Sequence, residues 1–486
     1  MKDPKSTRKH PHADRARSRV TRRALLSTAA ASVAVPTLLD AVLSGQGTLY
    51  AATPSTTVNI EIDAGQNENP FRWKASEVKA RWGFGINLIG LPFVGQYEKL
   101  VSELTARSTA YDVLVFPPYF LGDFVALNFL RDLDQFKGLG DPQLADYLPA
   151  YRDPVIKRNG KTYALMYDGD LLQVTYRKDL FEDPKERAAF KSKYGHDLAP
   201  PKTWDEYMEI AEFFHRPPNL YGTAFYAARG FCYAWFINIF AGLGGKWFEA
   251  DMTPGINSEI GVRALTLLVK MKNFAPPNIL QIDYPGLNAV FLNGSTAMVV
   301  QWDDLALKVE NPAMSKVVGK GGYAPCPVRS YMPYSRVMAV SAFSKNPENA
   351  YRLAWYMQLP KVSVTYVYDP ECGEDPYRYS HLKYDAVKNH LGKPTMSPAA
   401  ARNYVDAIRE GLKAGYPELS IPGAPRYLDI LDLYVNQALA GALSPKAALD
   451  AAAREWKSIT QAEDPGRQKA AYAAWIDAFR KAGIQY

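Results

Sequence analysis

Val58-Asn59-Ile60-Glu61-Ile62 alternates apolar and polar positions, the period of a strand with one buried face. A turn rich in Gly and Asn follows, from Gly65 to Asn69. Residues 71–82, with Trp73, Val78 and Trp82 apolar, predict a helix, and Gly85 to Leu91 predicts a second strand. Tyr97, Leu100, Val101 and Leu104 then recur with the spacing of one helix face. Tyr111 to Phe116 is apolar apart from Asp112 and predicts a buried strand. This β-α-β-α-β order predicts a parallel sheet covered by helices on both faces. Ligands of such sheets sit beyond the carboxyl ends of the strands, which here carry Phe116, Pro117, Pro118 and Tyr119.

Asn159-Gly160, between Val155-Ile156 and Thr162-Tyr163, is a two-residue hairpin signal. Leu172 to Tyr176 predicts a strand. Thr203-Trp204-Asp205-Glu206 is a capping box, Thr203 accepting from the Glu206 N–H and Glu206 reaching back. Ser258 to Met271 predicts a helix, Ala297 to Val300 a buried strand ending at Gln301-Trp302-Asp303-Asp304, and Val337 to Val340 another strand. Asn346-Pro347 starts a helix through Trp355. Residues 360–400 read as irregular, and Asp369 to Tyr377 as a surface loop or, alternatively, an insertion near the cleft mouth. Beyond 400 the chain reads helical, with Ser444-Pro445 opening one helix.

Charge changes the picture at one end only. Residues 1–52 hold nine of the 57 Lys and Arg and three of the 50 Asp and Glu, a net of +6. The remainder is close to neutral, at 48 against 47, so no nucleic-acid partner is expected. Arg22-Arg23 precede an uncharged run from Ala24 to Leu39, too short for a membrane span. This pattern reads as a Tat-type signal peptide over residues 1–52 and places the mature protein in the periplasm. With no cysteine before Cys232, no lipid anchor is expected. Cys232, Cys326 and Cys372 are an odd set, allowing at most one pair.

Several short motifs then stand in a familiar order. Gly160-Lys161-Thr162-Tyr163-Ala164-Leu165 leads to Tyr176-Arg177-Lys178-Asp179-Leu180 and Pro201-Lys202-Thr203-Trp204. Phe291-Leu292-Asn293-Gly294 with Ala297-Met298, Tyr323-Ala324-Pro325, and Ser344-Lys345-Asn346-Pro347-Glu348 follow. Together they resemble family-1 extracellular solute-binding proteins of ABC importers, the group containing maltose-binding protein. The resemblance implies an α/β fold of two lobes, the type II periplasmic binding protein fold, with hinge strands and C-terminal helices. It implies lobe one at 53–166 and 328–375, and lobe two at 167–327 and 376–486. Tyr167 and Pro325 fall near the hinge crossings.

A sugar site needs flat aromatics for C–H faces and short polar groups for hydroxyls, and 13% of residues are aromatic. The candidate ligand-binding residues are Gln66, Phe116, Tyr119, Asp168, Asp170, Trp302, Asp303, Arg336 and Tyr427. Asp168 and Asp170 also fit a turn around Gly169. Asp303 and Asp304, as neighbours on a strand, cannot both face a cleft. Arg336 facing the cleft would favour a ligand with a carboxylate or several hydroxyls. Tyr334-Ser335 replace the family's paired glycines before it. Tyr427 falls on a C-terminal helix that lends an aromatic to the site in the family.

The resemblance thus implies a monomer that takes a carbohydrate or polyol and delivers it to ABC permease subunits. No cofactor, metal or catalytic residue is expected. The four His outside the leader, His196, His215, His381 and His390, lack ligand spacing. Two rival readings are an exported carbohydrate-active enzyme, with Asp168 or Asp170 set against Asp303, and a binding protein serving a sensor or chemoreceptor.

Overall fold

The computed structural model describes residues 57–333 and 335–485. The signal peptide expected over residues 1–52, and Tyr334, lie outside the described residues. Two sheets organise the rest. The first has five strands in the order Gly85–Leu91, Thr57–Asp63, Val113–Phe116, Arg336–Val340, Ala164–Asp168. Thr57–Asp63 pairs in parallel with both neighbours, as the sequence pattern predicts. Arg336–Val340 enters from far along the chain and runs antiparallel to the strands on either side. The second sheet has four strands in the order Gly321–Pro325, Leu172–Arg177, Thr296–Trp302, Tyr221–Ala224.

The chain passes from the first sheet to the second through Gly169-Asp170-Leu171 and returns between Pro325 and Arg336. Within the return, Ser330–Met332 pairs with Gly415–Pro417, which ties it to the C-terminal helices. Those helices span Pro398–Lys413, Ala424–Leu439, Pro445–Ala462 and Pro465–Lys481.

Most predicted elements appear with small shifts of boundary. The helix predicted at 71–82 is Asn69–Trp82, closed by Gly83 at φ 76°, and that near Tyr97 is Gln96–Thr105. Thr203 caps its helix by accepting from Glu206 N at 3.1 Å, but Glu206 reaches past it to accept from Lys202 N at 2.7 Å. The hairpin at Asn159-Gly160 joins Lys157–Arg158 to Lys161–Thr162, because Val155-Ile156 belong to a helical turn.

Burial changes two expectations. The first strand alternates as expected only at its start, where Thr57 is exposed and Asn59 half-buried; Glu61 is fully buried and accepts from Gln96 Nε2 at 2.8 Å. A helix covers that face too, so alternation here separates two buried environments. Residues 369–378 are not a surface loop. Cys372, Gly373, Glu374, Asp375, Tyr377 and Arg378 are all buried. The segment crosses over the strand link, with Asp375 N donating to Asp168 Oδ1 at 2.6 Å and Gly169 N to Asp375 O at 3.2 Å. Beyond it, Leu148 N donates to Tyr377 O at 2.9 Å, and Arg378 Nη1 donates to Asp146 Oδ2 at 3.4 Å. Few apolar residues mark the segment, so hydropathy hides its burial. Cys232, Cys326 and Cys372 are unpaired and buried.

Candidate ligand-binding cleft

A cavity of about 460 Å³ opens where the two sheets face each other, a size typical of small-molecule sites. From the first sheet it is lined by Asp63 at a strand's carboxyl end, by Gln66 and Asn67 in the turn after it, by Phe93 and by Arg336. From the second it is lined by Trp302 at a strand end, by Asp304, Tyr226 and Phe231, and by Tyr284 at a helix start. Asp170 in the strand link and Gly373 in the crossing segment complete the floor. A side chain on Gly373 would place Cβ 2.1 Å from Gln66 Nε2, so only glycine leaves Gln66 where it stands.

Rings dominate one side. The Phe231 and Trp302 centroids lie 5.3 Å apart, and Tyr284 and Trp302 5.7 Å. Phe93 meets Phe231 edge-on at 5.6 Å across the cleft mouth. Gln66 Nε2 spans the same gap, donating to Tyr284 Oη at 3.0 Å, and Tyr284 Oη donates to Asp304. Trp302 Nε1 donates to Pro333 O at 3.3 Å, which fixes the indole plane.

Charge dominates the other side. Arg336 Nε and Nη2 donate to Asp63 at 2.9 and 3.1 Å, and Nη1 donates to Asp168 Oδ2 at 2.6 Å. The Arg336 guanidinium is therefore shared between two carboxylates of the protein itself. Of the two ligand types that the sequence reading of Arg336 favours, the carboxylate does not follow, because this cation is already neutralised, while a ligand with several hydroxyls stays compatible. Lys308 is held likewise, by Asp304 and by Cys372 O at 2.8 Å. The acceptors Asn67 Oδ1 and Asp304 Oδ1 are buried without hydrogen-bond partners.

Burial raises the acids behind this wall. The Asp168 carboxyl is raised to about 6 by desolvation, against the pull of Arg336. Asp303 is raised by desolvation to about 8. Asp170, Glu374 and Asp375 are pushed well above the ordinary carboxylate range, chiefly by burial and then by the charge of Asp168 beside Asp170 and Glu374 and of Asp303 beside Asp375. Asp168, Asp170 and Asp375 bring carboxylate oxygens within 4.8 Å of one another.

Of the nine candidates, the cavity brings together Gln66, Asp170, Trp302 and Arg336. The others stand elsewhere. Phe116 ends its strand in the core, stacked 6.0 Å from Phe120. Tyr119 lines a separate void of about 30 Å³ with Tyr151 and Glu418. Asp168 sits behind Arg336. Asp303 turns inward, accepting from Leu171 N at 3.2 Å, while Asp304 faces the cavity. Both lie past the strand end at Trp302, so strand alternation does not select between them. Tyr427 packs edge-on against Trp456 at 5.2 Å among the C-terminal helices.

Sequence reasoning missed Asp63, Asn67, Phe93, Tyr226, Phe231, Tyr284, Asp304 and Gly373. The strand-end rule that selected Phe116 finds Asp63 and the loop carrying Tyr226 and Phe231 when applied to those strands. Tyr284 and Gly373 have no comparable signal, since each depends on packing across the molecule.

Two facing sheets, linked by crossing strands and enclosing a polar-aromatic cavity, define a two-lobed ligand-binding fold of the type II periplasmic class. The profile of the bacterial extracellular solute-binding protein family matches residues 77–363, and the chain belongs to that family. A probable amino-acid ABC transporter periplasmic-binding protein of Sinorhizobium fredii is 27% identical over 257 residues, 51% of this chain and 57% of that protein. An ABC transporter solute-binding protein from Agrobacterium radiobacter K84 in complex with ribitol superposes with a TM-score of 0.72 at 22% identity. It covers 83% of this chain and 98% of its own. Maltose-bound MalE3 of T. maritima superposes with a TM-score of 0.71 at 20% identity, over 83% and 100% respectively. Among the described residues, no helix is long and apolar enough to cross a membrane.

Proposed function

We propose that this chain is the solute-capturing component of an ABC importer, that it binds a sugar or polyol in the cavity, and that permease subunits receive the solute from it in the periplasm. The observation that carries this reading is the cavity wall itself. Tilted and edge-on rings face buried acceptors, and Arg336 at the wall and Lys308 behind it are engaged by protein carboxylates. Such a site takes apolar C–H faces and hydroxyl donors and disfavours anions. The ribitol and maltose held by structural neighbours are of that chemistry. An enzyme of glycoside hydrolysis is disfavoured, because Asp168 and Asp303 are turned away from the cavity.

In this reading the lobes stay at 53–166 with 328–375 and at 167–327 with 376–486, and the bonds of Tyr377 and Arg378 to residues 146–148 favour carrying the first lobe a few residues past 375. Ligand bridging Gln66 and Arg336 on one lobe to Trp302 and Asp304 on the other shifts the population toward the closed form that the permease accepts. A thermal-shift screen of sugars, polyols, sugar acids and sugar phosphates tests the reading. A neutral ligand at 100 times its Kd stabilises by about 2.7 kcal/mol. Stabilisation by sugar acids or phosphates alone overturns the site as described.

A further inference from the structure

The rings of the cavity form a short platform with a stop at each end. Phe231 lies at 35° to Trp302, so the two make one shallow surface, while Tyr284 stands at 67° to Trp302 and ends the row. At Tyr284 the two sides of the cleft are tied together. Gln66 Nε2 donates to Tyr284 Oη at 3.0 Å, and Tyr284 Oη donates to Asp304. Lys308 pairs with Asp304 and donates to Cys372 O at 2.8 Å. These bonds cross the cleft twice, from Gln66 to Tyr284 and from Lys308 back to Cys372. Gln66 has no room to fold away toward the floor, since its Nε2 already lies where a Cβ on Gly373 would stand 2.1 Å from it.

The other end is filled. Phe93 meets Phe231 from across the cleft at 66°. Tyr233 packs 5.0 Å from Phe231, is buried, and donates through Oη to Glu418 at 2.6 Å. Glu418 and Tyr119 line the void of about 30 Å³ there, which has room for water but not for a sugar ring.

We propose that the cleft takes a solute of one or two sugar units, or an alditol of that length, and that the Gln66–Tyr284 bond is the stop that excludes longer chains. This rests on the carbohydrate reading above and narrows it to short solutes. A sugar lays its C–H face on an aromatic face, and the platform of Trp302 and Phe231 provides two. A third unit has to part Gln66 from Tyr284 or enter the packed end at Tyr233.

The test is calorimetric titration of the purified protein with malto-, cello-, manno- and xylo-oligosaccharides, each series running from one to four units. Ribitol, mannitol, glucitol and maltitol are titrated beside maltotriitol. The expected result is that the tightest probe has one or two units and that the three-unit member of its series binds about tenfold or more weaker. In Gln66→Ala that ratio falls to about threefold or less, because the stop is gone. The short solute loses a contact in this variant too, so the ratio is read rather than either affinity. A three- or four-unit chain that binds the wild type as tightly as its best shorter relative overturns the proposal and leaves carbohydrate capture standing, whether or not the variant folds. So does a ratio that Gln66→Ala leaves unchanged. No binding by any probe overturns the carbohydrate reading on which the proposal rests.

Discussion

Arg336 stands opposite Asp168 on adjacent antiparallel strands, and its Nη1 donates to Asp168 Oδ2 at 2.6 Å. The register shifts between Arg336 and Val337, so the ladder is irregular where the Arg336 side chain must also reach Asp63 on a third strand. Such irregularities re-aim side chains beside binding sites. One guanidinium thus joins three strands of the first sheet at the floor of the cleft.

Replacing Arg336 by Met leaves Asp63 and Asp168 buried without their cation. The expected cost is about 3–5 kcal/mol of stability. Lys at this position recovers only part of it, because an ammonium cannot make the two-pronged contact with Asp63. Urea unfolding of both variants checks this, and a loss below about 1 kcal/mol in the Met variant contradicts the clamp.

Gly169 lets the crossing segment lie on the strand link. A Cβ there would stand 2.5 Å from Pro376 O and 2.7 Å from Tyr377 Cβ, both too close. Gly169→Ala is expected to destabilise by about 1–3 kcal/mol through overpacking. It should also raise hydrogen exchange in residues 369–378, where the displaced segment loses its bond from Gly169 N. Unchanged exchange there would show that the segment is not held at this point.

Asp303 gives a pH dependence with a definite sign. Its carboxyl is raised from the ordinary range to about 8 by burial, so the folded state holds a proton that the unfolded state releases near pH 4. Its contribution is fully present below about pH 4 and is lost as pH rises toward 8. Asp303→Asn keeps an acceptor for Leu171 N and does not titrate. The variant is expected to gain about 1–3 kcal/mol on the wild type between pH 5 and 7, measured by urea unfolding at both values. Parallel curves at the two pH values would contradict the burial of an uncharged Asp303.

Gly373→Ala tests the floor from the other side. The added methyl group displaces Gln66 and breaks its bond to Tyr284 across the cleft. Ligand affinity is expected to fall about tenfold or less, with little change in stability, since a flexible side chain yields. Titration with the solute found by screening checks this.

Local order was legible in the sequence. The period-two run at Val58 to Ile62, the face at Tyr97 to Leu104, the cap at Thr203 and the helix starts at Ser258 and Ser444 all rest on neighbours in the chain. The antiparallel place of Arg336–Val340 between two strands was not, because it depends on pairing across more than 150 residues. Gln66, Asp170, Trp302 and Arg336 were chosen with the help of the family resemblance, and each lies at a strand end or in the turn or link beside it. Phe116 and Tyr119 also lie near a strand end but were absorbed by core packing, which no strand-end rule detects. The crossing segment at 369–378 was misread because its burial is polar. Asp375 is held through its backbone N–H and carbonyl and Arg378 through its ion pair with Asp146, and an acidic, Pro-containing stretch looks like solvent-facing loop until its partners are seen.

Trp302 carries the central claim, since it is the ring that meets Phe231, Tyr284 and the cavity at once. The decisive measurement is calorimetric titration of the best-stabilising solute into the wild type and Trp302→Leu, with unfolding followed in parallel. The account expects affinity to fall by about tenfold or more in a variant that still unfolds cooperatively. Equal affinity in the two proteins would remove Trp302 from the site and contradict the cleft as the place of capture.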